Sequence, residues 1–350
     1  MNEINLFKHS NSGIMRSGLR LEQCGEVMHV TAEAFGEAWF LTGPTAVGKS
    51  EVGIELAERL EAEIVSMDSM MLYRHLNIGT AKPSAEQQRR VRHHLIDVLD
   101  PWEECSLAKY RTLAADTCDR ILSRGKKILF VGGTVLYLKA ILRGIFKGPS
   151  ADMEIRAKWQ QNAELKGVDF VHDALRKVDS VSASRLHPND IRRIIRALEV
   201  FEKTGIPISE HQTQFSRFTA GKAKHNKVFC LTLPRELLSE RINQRVDKML
   251  VDGLIREVEG LRGLEKPLSR GARQSLGCKE VLDFLDGKAE LEEMVQLLKQ
   301  RTRRLAKHQR TWFRSLDECQ MVHLTGEEMP SEVAEQIILT AHNRPITGSG

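Results

Sequence analysis

No stretch of the chain is long and apolar enough to cross a bilayer as a helix, which argues against an integral membrane protein of that kind. Residues 1–37 also lack the continuous apolar core of a secretory signal. Lys8, Arg16 and Arg20 punctuate their first half, and Glu22, Glu26, Glu33 and Glu37 interrupt the rest. This segment reads as a disordered leader. The six cysteines (Cys24, Cys105, Cys118, Cys230, Cys278, Cys319) contain no C-x-x-C pair and no neighbouring histidines at metal spacing. A disulfide scaffold and a zinc module are therefore not expected, and free thiols in a reducing cytosol are. Aromatic residues are few, at 5%. Charge of one sign is not in large excess either: the net +5 permits a polyanionic partner without requiring one. With 41% hydrophobic residues in 350, there is material for one large domain or two modest ones with real cores.

What is present is more specific. Gly43-Pro44-Thr45-Ala46-Val47-Gly48-Lys49-Ser50 follows the apolar run Trp39-Phe40-Leu41 and opens the helical pattern Glu51 to Leu60. A G-x-x-x-x-G-K-[ST] run between a strand and a helix is a phosphate-binding loop. Its glycines let backbone N–H groups turn inward around a diphosphate at a helix N-terminus. Lys49 adds a point charge on the outer phosphate, and the Ser50 hydroxyl suits magnesium. The loop says polyphosphate, and neither which one nor which reaction.

A second strand signal, Ile64-Val65-Ser66-Met67, ends in Asp68-Ser69-Met70-Met71-Leu72-Tyr73-Arg74. At the carboxyl end of a parallel strand beside the phosphate loop, Asp68 faces the ligand crevice. There it can hold metal-bound water or accept a proton. Further along stand Ile78-Gly79-Thr80-Ala81-Lys82-Pro83, His93-His94-Leu95-Ile96-Asp97 and Gly132-Gly133-Thr134-Val135-Leu136-Tyr137. Arg196-Ala197-Leu198-Glu199-Val200 and Ala306-Lys307-His308-Gln309-Arg310-Thr311-Trp312 follow. In this order, from about Trp39 to about Arg314, the set resembles the tRNA dimethylallyltransferases, which transfer an isoprenoid group to tRNA.

Apolar runs alternate with amphipathic stretches. Strand signals fall at Phe40, 64–67, 127–131 and 228–233, with helical patterns such as Leu107 to Leu122 and Leu237 to Leu250 between them. The fold class expected is α/β, a P-loop-type parallel sheet flanked by helices, with an all-helical insertion. The expected organisation is a leader at 1–37, a core from 38 to 143 and, after a Gly/Pro hinge, an insertion from 144 to 226. A mostly helical second part of the core at 227–320 and a tail at 321–350 complete it.

Within the insertion, His187-Pro188-Asn189-Asp190 reads as a helix start, with Asn189 or Asp190 as cap. Ile191, Ile194, Ile195 and Leu198 then share a face at helical spacing, away from Arg192, Arg193 and Arg196. The late helical stretch carries Arg301, Arg303, Arg304, Lys307, His308, Arg310 and Arg314, a density suited to tracking an RNA backbone. Arg241 and Arg245 stand one helical turn apart, where a pair could grip a diphosphate.

The resemblance implies roles for these positions. It implies transfer from dimethylallyl diphosphate to N6 of the adenosine at position 37, beside the anticodon. Magnesium would sit at Ser50, with Asp68 as base or metal ligand and Arg245 stabilising the departing diphosphate. Contact with the anticodon stem-loop is implied along Asp68, Ser69, Met70 and Met71, at Thr134 and Arg156, and along Arg192, Arg193, Ile194, Ile195 and Arg196. It continues through Gln274, Ser275, Leu276, Gly277, Cys278 and Lys279, and through Lys307, His308, Gln309, Arg310, Thr311, Trp312, Phe313 and Arg314. Two residues depart from the family pattern: Cys278 replaces a tyrosine, which removes a stacking platform, and His308 replaces an arginine. A cytoplasmic monomer is expected. The competing readings are a small-molecule or nucleotide kinase and a nucleotide-dependent RNA-binding switch. The switch would want an acid after the strand Leu129-Phe130-Val131, where Gly132-Gly133 stands instead.

Overall fold

The computed structural model describes residues 35–146, 148–211 and 227–342. Six strands form one sheet in the order β3-β2-β4-β1-β5-β6, with every neighbouring pair parallel. The central strands are β1 (Trp39–Thr42), β2 (Ala62–Ser66), β4 (Lys127–Gly132) and β5 (Val228–Thr232). Their apolar residues run together at 39–41, 64–65, 128–131 and 228–231 because helices cover both faces of the sheet. Phe40 of β1 sits in register with Phe130 of β4, and their rings stack at 5.1 Å.

The four strands marked by apolar runs are all present. Two more were not signalled: β3 (His93–His94) and β6 (Gln320–His323), short edge strands of polar composition. The second of these changes the expected boundary. Residues after 320 are not a tail, since β6 pairs with β5 and the last helix, Pro330–His342, buries Val333, Ala334 and Ile337 in the core. At the other end, 1–34 lie outside the described residues. The leader boundary at 37 nevertheless runs too far, because Phe35 is buried edge-on against Phe130 at 6.1 Å.

In chain order the helices that matter below are α1 (Lys49–Leu60), α2 (Ala85–Arg90), α3 (Leu107–Leu122) and α4 (Val135–Arg143) of the core. The insertion follows as α5 (Met153–Lys166), α6 (Val168–Val178), α7 (Ser180–Arg185) and α8 (Ile191–Thr204). No strand occurs there among the described residues, in line with the all-helical expectation; 212–226 fall outside them. The insertion has its own apolar cluster, built on Val171, Leu175, Ile194 and Leu198. Asp190 stands at the N-cap of α8 without a side-chain capping bond; its carboxylate pairs with Arg193 at 3.2 Å.

After β5 the chain is helical again: α9 (Arg235–Val251), α10 (Leu254–Arg262), α11 (Arg270–Arg273), α12 (Cys278–Leu285) and the long α13 (Leu291–Arg314). Val246, Leu254, Val281, Met294 and Leu298 make a separate core for this part. No helix among the described residues is long and apolar enough to cross a membrane.

Candidate active site

The loop between β1 and α1 closes over the carboxyl end of the sheet. Gly48 ends it at φ 103°, a backbone that only glycine adopts without strain. Ala46 is also left-handed, at φ 65°, and such alternation turns successive N–H groups toward one point. At the neighbouring β4 terminus, a Cβ on Gly132 would come within 2.2 Å of the Met67 carbonyl oxygen, so only glycine lets β4 and the Met67-Asp68 turn approach this closely.

One cleft is bounded by Thr45, Gly48, Lys49 and Ser50 of the loop and by Asp68, Arg245, Gly133 and Gln309. Lys49 Nζ donates to the Pro44 carbonyl at 2.6 Å. Burial lowers the Lys49 ammonium to about 8; the nearby Arg245 charge pushes the same way, and Asp68 opposes both. Arg245 is likewise drawn below its ordinary range by burial, partly offset by Glu51 and Asp68. It donates from Nη1 to the Thr45 hydroxyl at 3.3 Å. Two cations thus converge on the loop at the cost of their own hydration, an arrangement suited to a polyanion. Arg241, one turn away, does not join them: it donates to the Gly326 carbonyl at 2.9 Å.

Asp68 is oriented by its own turn, Oδ1 accepting from the N–H groups of Met70 at 2.8 Å and Met71 at 3.4 Å. Thr134, at the N-cap of α4, accepts from Ser69 N–H at 3.1 Å and ties that turn to the β4 terminus. Gln309 of α13 bridges the two sides. Its Oε1 accepts from Thr45 N–H and its Nε2 donates to the Gly133 carbonyl, both at 2.9 Å. Position 309, expected at the RNA interface, staples the phosphate loop with its amide.

The same cleft has an apolar half, contributed by Ile64, Met71, Ala81, Pro83, Ile96 and Val131, with Thr80, Ser66 and His93 among them. His93 Nδ1–H donates to the Val91 carbonyl at 2.8 Å, and burial holds the imidazole below its ordinary pKa. Apart from Met71, expected at the RNA interface, sequence reasoning gave these residues no role in a site. The signal was present in I-G-T-A-K-P and H-H-L-I-D, motifs recognised but not placed.

The residues expected at an RNA interface divide sharply. Arg304, Lys307, His308, Thr311, Trp312 and Arg314 are exposed on α13, with Arg310 half-buried. Trp312 lies under the Lys139 ammonium at 5.2 Å. Arg192 and Arg193 are exposed on α8. Ile194, Ile195, Ser275, Cys278 and Phe313 are buried, so their side chains pack rather than present themselves to a ligand, and the Gly277 backbone is buried with them. Cys278 packs in the core, burial pushing its thiol up to about 11. Gln274 is exposed, and Leu276 and Lys279 are half-buried. Arg156 and Arg196 both turn to the fully buried Glu199, Arg156 through two bonds of 2.8 and 2.9 Å. Glu199 also accepts from Asp152 N–H at 2.6 Å, and Arg196 donates to the Pro149 carbonyl at 2.9 Å. Arg156 thus ties α5 to α8 within the insertion, and Arg196 alone of the two reaches the hinge, at Pro149. Arg301 and Arg303 pair with Glu280 and Asn243 inside the protein.

Comparison with known proteins agrees with this geometry. Residues 71–316 match the family model described as IPP transferase. A tRNA dimethylallyltransferase of Acetivibrio thermocellus is 42% identical over 279 residues, covering 79% of this chain and 88% of the relative. One from Geobacter metallireducens is 44% identical over 285 residues, 81% of this chain and 92% of the relative. Among solved structures, the tRNA isopentenylpyrophosphate transferase of Bacillus halodurans aligns with a TM-score of 0.63 at 38% identity. That alignment covers 87% of this chain and 96% of the other. A eukaryotic dimethylallyltransferase described as acting on tRNA aligns at 0.69 and 28% identity, covering 89% and 81%.

Proposed function

The chain belongs to the IPP transferase family, and from that premise we propose that it transfers the dimethylallyl group of dimethylallyl diphosphate to N6 of adenosine 37 in tRNA. The observation that carries this reading is the division of a single cleft into a cationic half and an apolar half. Lys49 and Arg245 meet a diphosphate, while Ile64, Ile96, Val131, Ala81 and Pro83 meet a short branched hydrocarbon. A kinase would need room and polar partners for a nucleoside there.

In the reaction, the adenine N6 attacks C1 of the allylic group as the C1–O bond breaks, and the bonding pair leaves with diphosphate. Charge grows on the departing oxygens, where backbone N–H groups of residues 45–50, Lys49 and Arg245 stabilise it. The N6 proton passes to the Asp68 carboxylate, which its turn holds at the edge of the cleft. A stacked adenine cannot reach that depth, so the base is flipped out of the anticodon loop past Thr134 and the turn 68–71. Magnesium fits the donor set, since Ser50 and Asp68 offer hard oxygens on the same cleft. Bound there, it would neutralise diphosphate charge.

RNA recognition would fall on the exposed cations of α13 and on Arg192 and Arg193 of α8. A cytoplasmic monomer is the setting proposed, consistent with five free cysteines among the described residues. Incubation with labelled dimethylallyl diphosphate and bulk tRNA, with ATP as competitor, tests the reading. Label should appear in N6-modified adenosine, indifferent to ATP. Rapid ATP hydrolysis or nucleoside phosphorylation, with dimethylallyl diphosphate inert, would sink it.

A further inference from the structure

The apolar half of the cleft is bounded on one side by Thr80, Ala81 and Pro83, all in the loop that joins residues 77 to 83. A loop of this kind has little sheet or helix bonding of its own, so something else must hold it. From within, Lys82 Nζ donates to the Tyr73 carbonyl, to Asn77 Oδ1 at 3.0 Å and to Asp97 Oδ1 at 2.6 Å. From outside, Glu257 of α10 reaches across. Its Oε2 accepts from the N–H groups of Asn77 at 2.7 Å and Ile78 at 2.8 Å, and its Oε1 from Gly79 at 3.0 Å.

Three consecutive backbone N–H groups pointing at one carboxylate form an anion nest, here filled by the protein itself. The bonds are charge-assisted, and each is stronger than its neutral counterpart. One turn earlier on α10, Leu254 presses on the same place: a Cβ on Gly79 would lie 3.2 Å from its Cδ1. Leu254 also backs Gly277, whose added Cβ would stand 3.6 Å from the leucine methyls and 3.9 Å from Gly79 Cα. Glu257 is therefore the point at which the C-terminal helices grip the wall of the cleft.

We propose that Glu257 is a positioning residue for the apolar half of the cleft: by clamping the N–H groups of 77–79 it sets Thr80, Ala81 and Pro83 against the hydrocarbon of an allylic diphosphate. This rests on the isoprenoid reading of the cleft given above. Glu257 touches no reacting atom, and the phosphate loop is built independently of it. Its contribution is confined to the hydrocarbon and separable from the diphosphate.

That separation defines the test. Calorimetric titration of the full chain with inorganic pyrophosphate, and then with dimethylallyl diphosphate, gives the gain in affinity due to the hydrocarbon. In the wild type the allylic ligand binds more tightly. In Glu257→Ala that advantage falls roughly tenfold, the scale of two lost methyl-sized contacts, while pyrophosphate affinity stays within about twofold. Glu257→Gln keeps the shape but leaves one acceptor oxygen for three donors, and gives an intermediate loss with the fold retained. Geranyl diphosphate, with one more isoprene unit, should gain on dimethylallyl diphosphate in both variants as the wall loosens. A wild type with no preference for the allylic ligand would overturn the isoprenoid reading, and the inference with it. A wild-type preference kept intact in both variants would overturn the Glu257 assignment alone. So would an equal loss of both affinities, which is what general loosening produces.

Discussion

At the scale of single residues, the site concentrates opposing charges that stabilise one another only in part. Lys49 and Arg245 are desolvated, and Asp68 is the acid that both feel. Removing Lys49 deletes a donor aimed at the charge that develops on the leaving diphosphate. Lys49→Ala should therefore lower transfer on the order of 100- to 1000-fold, measured in single-turnover assays with prebound substrates. Ser50→Ala should cost less and recover in part at higher magnesium concentration. Asp68 invites a different substitution, because Oδ1 is engaged by two backbone N–H groups that an asparagine carbonyl can also satisfy. Asp68→Asn preserves the turn and removes basicity. The chemical step should slow by roughly 100- to 10,000-fold, with tRNA affinity kept within about threefold. Transfer at the normal rate would remove Asp68 from catalysis. Failure that tracks lost affinity for magnesium pyrophosphate would make it a metal ligand.

At the scale of elements, the packing of α5 against α8 within the helical insertion depends on a fully buried Glu199. Burial pushes its carboxyl up, but Arg156, the Asp152 N–H and Arg196 outweigh that and hold it below its ordinary value of 4.5. A carboxylate lowered on folding stabilises the protein fully above its unfolded value and loses that contribution as pH falls through the folded one. Glu199→Ala takes the carboxylate from two arginines that are each about a third exposed, and should cost about 1.5–3 kcal/mol in denaturant unfolding at pH 7. The gap to wild type should narrow below about pH 4. Equal pH profiles for the two proteins would refute the assignment. Arg156 and Arg196 also illustrate what the sequence could and could not convey. Their charge was legible and read as RNA-facing. The partner of Arg156 was not, because Glu199 lies 43 positions away and only folding brings them together; for Arg196 the same carboxylate stands one turn on along α8, a local pair that its charge alone does not announce. The phosphate loop, Asp68 and four strands were legible because each is a local pattern: a glycine spacing, a strand terminus, an apolar run. Strands β3 and β6 were hidden by their shortness and polarity. The clamp by Glu257 and the staple by Gln309 span 178 and 264 positions and carry no local signature.

At the scale of the molecule, the cleft and the exposed cations approach each other along one helix. Gln309 points inward from α13 to Thr45 and Gly133, while Lys307, His308, Thr311 and Trp312 around it are exposed. RNA arriving on that face would be brought to the mouth of the cleft without further rearrangement of the core. If the outward cations contact phosphates, tRNA affinity must fall steeply with salt, since each contact releases bound counterions. Arg314→Ala on α13 and Arg193→Ala on α8 should each reduce the slope of log affinity against log salt by about one phosphate contact. Arg314 makes no ion pair among the described residues, whereas Arg193 must first leave Asp190, so the Arg193 effect on affinity should be the smaller. Allylic diphosphate affinity should be unchanged in both variants, because neither residue borders the cleft. Filter binding between about 50 and 200 mM salt, where several phosphate contacts change affinity by orders of magnitude, resolves a difference of one contact. Identical slopes in wild type and both variants would return these arginines to an ordinary solvated surface and move the RNA interface elsewhere.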